Sequence, residues 1–203
     1  WARAEGRAFL RFDYSGHGES SGSFAEGCIG DWHEDTLAAV TALTEGPLIV
    51  VGSSMGGWQA LLLARQWPER IAGLIGIAAA PDFTEDGYWA NFTEAQKQTL
   101  AEVGQVELPS DYMEPYVITR RMIEDGRKRL VLREALDLPF PVRLLQGTAD
   151  TAVSTATAVR LLEHAQSPDM QLTLVKDADH RFSDARCLAM IVAAINEVSG
   201  KEG

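Results

Sequence analysis

The sequence predicts an α/β chain, with a mostly parallel sheet covered by helices on both faces. Three observations carry that expectation. Apolar, β-branched runs alternate along the chain with stretches of helical periodicity. The run Ile71 to Ala78 (IAGLIGIA) is apolar throughout, as suits a parallel strand buried on both sides. Leu48 to Leu61 (LIVVGSSMGGWQAL) passes from strand to helix across a turn of small residues.

Trp1 to Gly6 reads as the tail of a helix and Ala8 to Phe12 (AFLRF) as a buried strand running into the polar turn Asp13 to Gly18, so the chain is expected to open in mid-fold. Ile29, Trp32, Thr36, Leu37, Val40 and Leu43 recur at helical spacing until Gly46-Pro47 closes the helix. The helix after the small-residue turn is expected to reach about Gln66. Between Asp82 and Leu138 the alternation gives way to charges and aromatics, read as a helical lid inserted into a core of residues 1–81 and 139–203. Within it, Thr93 and Gln96 form a capping box for a helix to about Val103, and a second helix is expected over Pro115 to Leu136. Pro141 to Gln146 (PVRLLQ) is a strand, Ser154 to Gln166 a helix and Met170 to Lys176 the last strand. Leu188, Ile191, Val192, Ile195 and Val198 share one face of the final helix, and Gly200 to Gly203 should fray.

A chain of 203 residues fits one domain, and such a domain buries roughly 70 % of the surface its unfolded chain exposes. With 46 % hydrophobic and 23 % charged residues, and no apolar run near the ~20 residues that span a bilayer, a soluble protein is expected. A net charge of -11 argues against nucleic acid or anionic membrane surfaces as partners. Cys28 and Cys187 form no CxxC pair, so neither a zinc site nor a disulfide framework is expected. A reducing compartment is the default expectation: the cytoplasm, or the mitochondrial matrix if the chain is a eukaryotic relative with a removed leader. No basic, apolar leader opens these residues. Nothing in the composition fixes the oligomeric state.

The chemistry centres on Gly52-Ser53-Ser54-Met55-Gly56. A strand turning sharply into a helix can hold one residue in a strained conformation with its side chain clear of both elements, provided its neighbours are small; Gly52, Gly56 and Gly57 supply that clearance. Ser54 then projects its hydroxyl above the sheet, and the Met55 backbone N–H points to where an oxyanion would form. The pattern alone arises by chance in roughly one chain in ten of this composition, so its strand-turn-helix context carries the weight.

A serine needs a base within hydrogen-bond reach, and the base needs an orienting acid. Of four histidines, His17 lies in the first polar turn, where it stabilises the loop, and His33 and His164 lie in helices, where the surface is expected. His180 follows the last strand and precedes the last helix, on a loop returning to the sheet edge where Ser54 opens. For the acid, Gln146-Gly147-Thr148-Ala149-Asp150 sets a carboxylate just after the penultimate strand, at the same edge. Asp82 follows the third strand and competes; Asp177 and Asp179 are too close to His180 in sequence to reach its far nitrogen easily. The chosen set is Ser54, Asp150 and His180.

These motifs, with Arg11 to Gly18 (RFDYSGHG), Gly73 to Ala80 (GLIGIAAA) and Pro141 to Gly147 (PVRLLQG), resemble the serine α/β-hydrolase family across the chain, and more narrowly its acyl-protein thioesterases and acyl-glucuronide esterases. The resemblance implies the α/β-hydrolase fold, Ser54 as nucleophile, Asp150 as acid and His180 as base. It further implies hydrolysis of acyl esters or thioesters, of small molecules or acylated proteins, without metal or organic cofactor. It also implies a second oxyanion donor from a loop upstream of Trp1, a donor missing from this chain. Loss of one donor costs roughly 2.7 to 4 kcal/mol of transition-state stabilisation, so the 203 residues alone are expected to be feeble.

Tyr88, Trp89, Phe92, Tyr112, Met113 and Tyr116 could line an acyl pocket or form a satellite core. Arg120, Arg121, Arg127, Lys128, Arg129 and Arg133 could hold a substrate carboxylate, but Arg120 with Glu124 and Arg121 with Asp125 read better as i,i+4 pairs on a solvated helix. The expected reaction runs through an acyl-enzyme, with activity falling below roughly pH 6.5 because the base must be neutral. The alternatives are a non-catalytic binding protein on the same fold and a cofactor-free perhydrolase on the same triad.

Overall fold

The computed structural model describes residues 1–109 and 115–200. In chain order its main elements are α1 (Ile29–Leu43), β1 (Leu48–Ser53), α2 (Met55–Gln66), β2 (Ile71–Ile77), α3 (Glu94–Val103), β3 (Gln105–Leu108), β4 (Tyr116–Thr119), α4 (Arg120–Gly126), β5 (Leu136–Asp137), β6 (Val142–Gly147), α5 (Thr155–His164), β7 (Ala165–Gln166), β8 (Met170–Val175) and α6 (Ala185–Val198). By its contacts the chain divides into two compact units. One comprises Trp1–Leu10, Leu43–Pro81 and Val131–Gly203; the other comprises Arg11–Ala42 and Asp82–Leu130.

The first unit holds a four-stranded sheet of order β1-β2-β6-β8, parallel throughout. Alternate residues of its inner strands face opposite sides, and both sides are covered. Ile75, Ile77, Leu145 and Val175 pack with Phe182 and with Cys187, Ala194 and Val198 of α6. Gly76 and Leu144 turn the other way, where they border the same small space as Ala158 and Leu161 of α5. Two close approaches fix the layers. A Cβ on Gly73 would stand 2.8 Å from the Val198 Cβ, and one on Gly57 would stand 2.8 Å from the Ala79 Cα.

One ionic clamp ties this unit together. Arg143, its side chain only 11 % exposed, grips both carboxylate oxygens of Asp169 at 3.0 Å each and donates to Glu197 of α6 at 2.7 Å. Bidentate geometry of this kind makes a charge-assisted pair strong as well as directional.

The second unit is built around α1 and a β3–β4 antiparallel ladder. Trp32 is fully buried, stacks on Phe24 with centroids 5.5 Å apart, meets the His17 ring edge-on at 4.9 Å and donates from Nε1 to the Ser15 carbonyl at 3.1 Å. The orphan N–H groups at the start of α1 find side-chain acceptors. Gly30 donates to Asp125 at 2.6 Å, and Cys28 donates to Asp31 at 3.1 Å.

Several expectations require correction. Ala8 to Phe12 pairs with no strand among the described residues; Phe9 is 74 % exposed. A strand needs a partner, and a local pattern cannot supply one. Trp1 to Gly6 is a run of turns rather than a helical tail. The helix expected over Pro115 to Leu136 is replaced by β4, the short α4 and a 3-10 turn at Arg127–Arg129. The β-branched Val117, Ile118 and Thr119 pair with Glu107, Val106 and Gln105, and the Thr119 hydroxyl then caps α4 by accepting from Met122 N at 3.1 Å. Helix α4 stops at Gly126, where a Cβ would stand 3.0 Å from that of Thr84. Arg121 pairs with Asp31 at 2.7 Å instead of Asp125, whose carboxylate takes Gly30 N and Arg129. His33 is buried at 4 % exposure, not at the surface. A π-helix at Phe83–Trp89 had no counterpart in the sequence reading.

Candidate active site

Ser54 sits between β1 and α2 with φ 53 and ψ -120, a backbone conformation that costs a non-glycine residue on the order of 1–3 kcal/mol. The surroundings enforce it. Its N–H donates to Ile77 O at 2.9 Å, and its carbonyl accepts from Gly57 N at 2.9 Å and Ala80 N at 3.0 Å. Any side chain on Gly52 would collide with the Gly56 carbonyl carbon at 2.6 Å. Met55 opens α2, so its N–H is among the first-turn donors that no helical carbonyl satisfies.

Asp150 follows β6 in a loop closed by its own carboxylate. Oδ1 accepts from Ala152 N and Val153 N at 2.8 Å each. Oδ2 accepts from Gln146 Nε2 at 3.0 Å and faces His180 Nδ1 at 2.8 Å. Burial of this side chain pushes its pKa up, but the hydrogen bonds from Val153, His180, Gln146 and Ala152 outweigh burial and hold the carboxyl below its ordinary value. An ionised carboxylate only accepts, so the hydrogen shared with His180 lies on Nδ1, and in the neutral imidazole Nε2 is the acceptor.

His180 lies on the loop between β8 and α6, pinned on both sides. Ala149 N donates to Ala178 O at 3.0 Å, Asp177 N to Thr148 Oγ1 at 2.9 Å, and Phe182 N to Asp179 Oδ1 at 3.1 Å. Phe182 is driven into the core at 1 % exposure despite a φ of 51. Asp184 then caps α6 by accepting from Cys187 N at 2.8 Å. The result is that His180 Nε2 stands 3.1 Å from Ser54 Oγ. Asp150, His180 and Ser54 thus form one hydrogen-bonded line, although 126 residues separate Ser54 from His180 in sequence.

The other candidates do not join it. Asp179 is spent on Phe182 N, and Asp82 belongs to the second unit, in a left-handed conformation ahead of the π-helix. His17 holds its own turn through Nδ1 and Ser15 O at 3.2 Å, and His164 Nε2 meets Glu134 O at 2.7 Å. Of the aromatic set, Tyr88 stacks on Phe92 at 6.3 Å and meets Phe83 edge-on. Trp89 is faced by Arg127 and Lys97 at 4.5 and 5.4 Å, and Tyr116 is 44 % exposed on β4. Tyr112 and Met113 lie outside the described residues. Four of the six basic side chains have acidic neighbours: Arg120 with Glu124, Arg121 with Asp31, Arg127 with Glu85 and Arg129 with Asp125. Among the described residues no group of three or more His, Cys, Asp or Glu could hold a metal ion, and no helix is long and apolar enough to cross a membrane. The sequence reading missed Gln146; its one signal was an amide at the end of an apolar strand.

Residues 2–121 match the family described as alpha/beta hydrolase fold. The chain belongs to the alpha/beta hydrolase family. This hydrolase is 34 % identical over 203 residues to the mitochondrial palmitoyl-protein thioesterase ABHD10 of Rattus norvegicus, covering 99 % of this chain and 68 % of the relative. It is 32 % identical to the Homo sapiens protein of the same name, covering 99 % and 66 %. A putative hydrolase from Agrobacterium vitis S4 superposes with a TM-score of 0.93 at 40 % identity, over 97 % of this chain and 78 % of that one. Alpha/beta hydrolase domain-containing protein 10 from mouse gives 0.89 at 34 % identity, over 98 % and 80 %. With these relatives the hydrolase is an enzyme of the carboxylic ester and thioester class.

Proposed function

We propose that the protein is a serine acyl hydrolase that cleaves acyl thioesters and esters through an acyl-enzyme, with Ser54 as nucleophile, His180 as base and Asp150 as orienting acid. One observation carries the reading: the unbroken line of 2.8 Å from Asp150 Oδ2 to His180 Nδ1 and 3.1 Å from His180 Nε2 to Ser54 Oγ. His180 Nε2 takes the hydroxyl proton as Ser54 Oγ attacks the acyl carbonyl, and the resulting oxyanion accepts from the Met55 N–H. The imidazolium, steadied by Asp150, gives its proton to the departing thiol or alcohol. Water deprotonated by the same nitrogen then attacks the acyl-serine, and the acid leaves with Ser54 restored. No step needs a metal or an organic cofactor.

The substrate class follows from the relatives named as palmitoyl-protein thioesterases: long-chain S-acyl groups on protein cysteines. We place the enzyme in a reducing aqueous compartment, cytoplasm or mitochondrial matrix, in keeping with two free, buried thiols, Cys28 and Cys187. Full-length protein is to be incubated with a fluorophosphonate probe, an S-palmitoyl peptide and an aryl acetate, beside Ser54→Ala. Labelling and thioester turnover in the wild type, both lost in the variant, support the reading. Unlabelled, inactive wild-type protein would instead make this fold a binding module.

A further inference from the structure

Gln146 is 1 % exposed in a strand that is otherwise apolar apart from Arg143 and the terminal Gly147. A buried amide is costly unless it is hydrogen-bonded, and a methionine of similar length would fill the place without that requirement. The amide is oriented by its donor end. Nε2 lies 3.0 Å from Asp150 Oδ2, 3.0 Å from Val153 O and 3.2 Å from Gly147 O, whereas Oε1 accepts no hydrogen bond from the described residues.

The donors on Asp150 divide evenly. Two backbone N–H groups hold Oδ1, and two side chains, Gln146 and His180, meet at Oδ2. Without Gln146, Oδ2 would be held by the imidazole alone. The two backbone N–H groups would still fix Oδ1, but the carboxylate could rotate about that anchor and Oδ2 would follow the ring it is meant to steer.

We propose that Gln146 is a positioning residue: through its Nε2–Oδ2 bond it fixes the carboxylate plane of Asp150 and so the orientation in which His180 presents Nε2 to Ser54. This rests on the triad reading above. Gln146 acts through Asp150, so its loss should slow the chemical step and leave substrate binding unchanged.

The test uses full-length protein, Gln146→Met and Gln146→Glu, with active sites counted by fluorophosphonate titration and an S-palmitoyl peptide as substrate. Both variants should lose about 10- to 100-fold in kcat per titrated site, with KM unchanged within about twofold. The proton resonance of His180 Nδ1–H should broaden or move in both variants relative to the wild type. A merely structural glutamine would lower the melting temperature and the number of titratable sites while kcat per site stayed at the wild-type value. That result, in whichever variant folds, overturns the proposal. The controls separate it from the triad reading. If wild type turns nothing over, or Ser54→Ala and Asp150→Asn keep wild-type kcat, the triad reading fails; if those two collapse and the Gln146 variants do not, only the present inference does.

Discussion

Gly147 and Ala178 are in such close contact that a Cβ on the glycine would stand 2.7 Å from the alanine's carbonyl carbon. The end of the acid-bearing strand and the histidine loop therefore share one contact surface, already bridged by Ala149 N and Ala178 O at 3.0 Å. Gly147→Ala must push that loop outward and carry His180 with it. Overpacking of this kind costs roughly 1–3 kcal/mol, and displacement by about 1 Å costs about 10²-fold in rate. Urea unfolding and kcat measured on the same preparation should show both losses; wild-type kcat would contradict the argument.

Ser54 holds a strained φ of 53. Ser54→Ala removes the hydroxyl and keeps the strain, whereas Ser54→Gly removes both. The glycine variant should be the more stable of the two by about 1 kcal/mol, after allowance for its looser unfolded chain. Both should be inactive. Equal melting temperatures would mean that the elbow is not strained.

Asp150→Asn keeps the shape and changes the donors. The amide NH₂ must face either two backbone N–H groups or the Nδ1–H of His180, and turning the imidazole to its other tautomer leaves Nε2 protonated toward Ser54. A fall in kcat on the order of 10⁴-fold is expected, with KM little changed, measured by steady-state hydrolysis of an aryl ester.

Acid should unfold the protein in a defined window. The carboxyl of Asp150 is held low by hydrogen bonds that outweigh burial, and that of Asp31 by Arg121 and Cys28 in the same way. Arg143 lowers Asp169, and the Cys187 N–H lowers Asp184. Each group has a folded pKa below its unfolded one, so the unfolded chain takes up protons first as pH falls. Their stabilisation is fully present above the ordinary carboxylate range, near pH 4, and is lost as pH drops through the lower folded values. Chemical unfolding midpoints should hold from pH 7 to about 5 and then decline steeply. A steady decline beginning at neutral pH would show that other groups govern.

Much of this was readable in the sequence because the informative signals were local. Gly52 to Gly57 specifies its own turn, Thr93 and Gln96 specify their own helix start, and the turns bearing Asp150 and His180 each follow an apolar strand whose carboxyl end the alternating order puts at one edge. What failed depends on distant partners. Val117 to Thr119 is a strand only because Gln105 to Glu107 lies beside it, and Ala8 to Phe12 is not one although its residues suit the role. His33 looked like a helix-surface residue, but its side of α1 faces inward with Trp32 and Thr36. Gln146 shows its relevance only once Asp150 has been folded back beside it.

The clamp on Arg143 sets how far the chain can be shortened from its carboxyl side. Glu197 supplies one arm of it and Val198 fills the space above Gly73, so the last turn of α6 is held in place on two counts. Cutting after Ser199 leaves both arms intact, whereas a stop codon at position 197 strands a buried guanidinium beside Asp169 alone and uncovers the second strand. Shortened versions ending before Glu197 should therefore fail as soluble reagents even with Ser54, Asp150 and His180 in place.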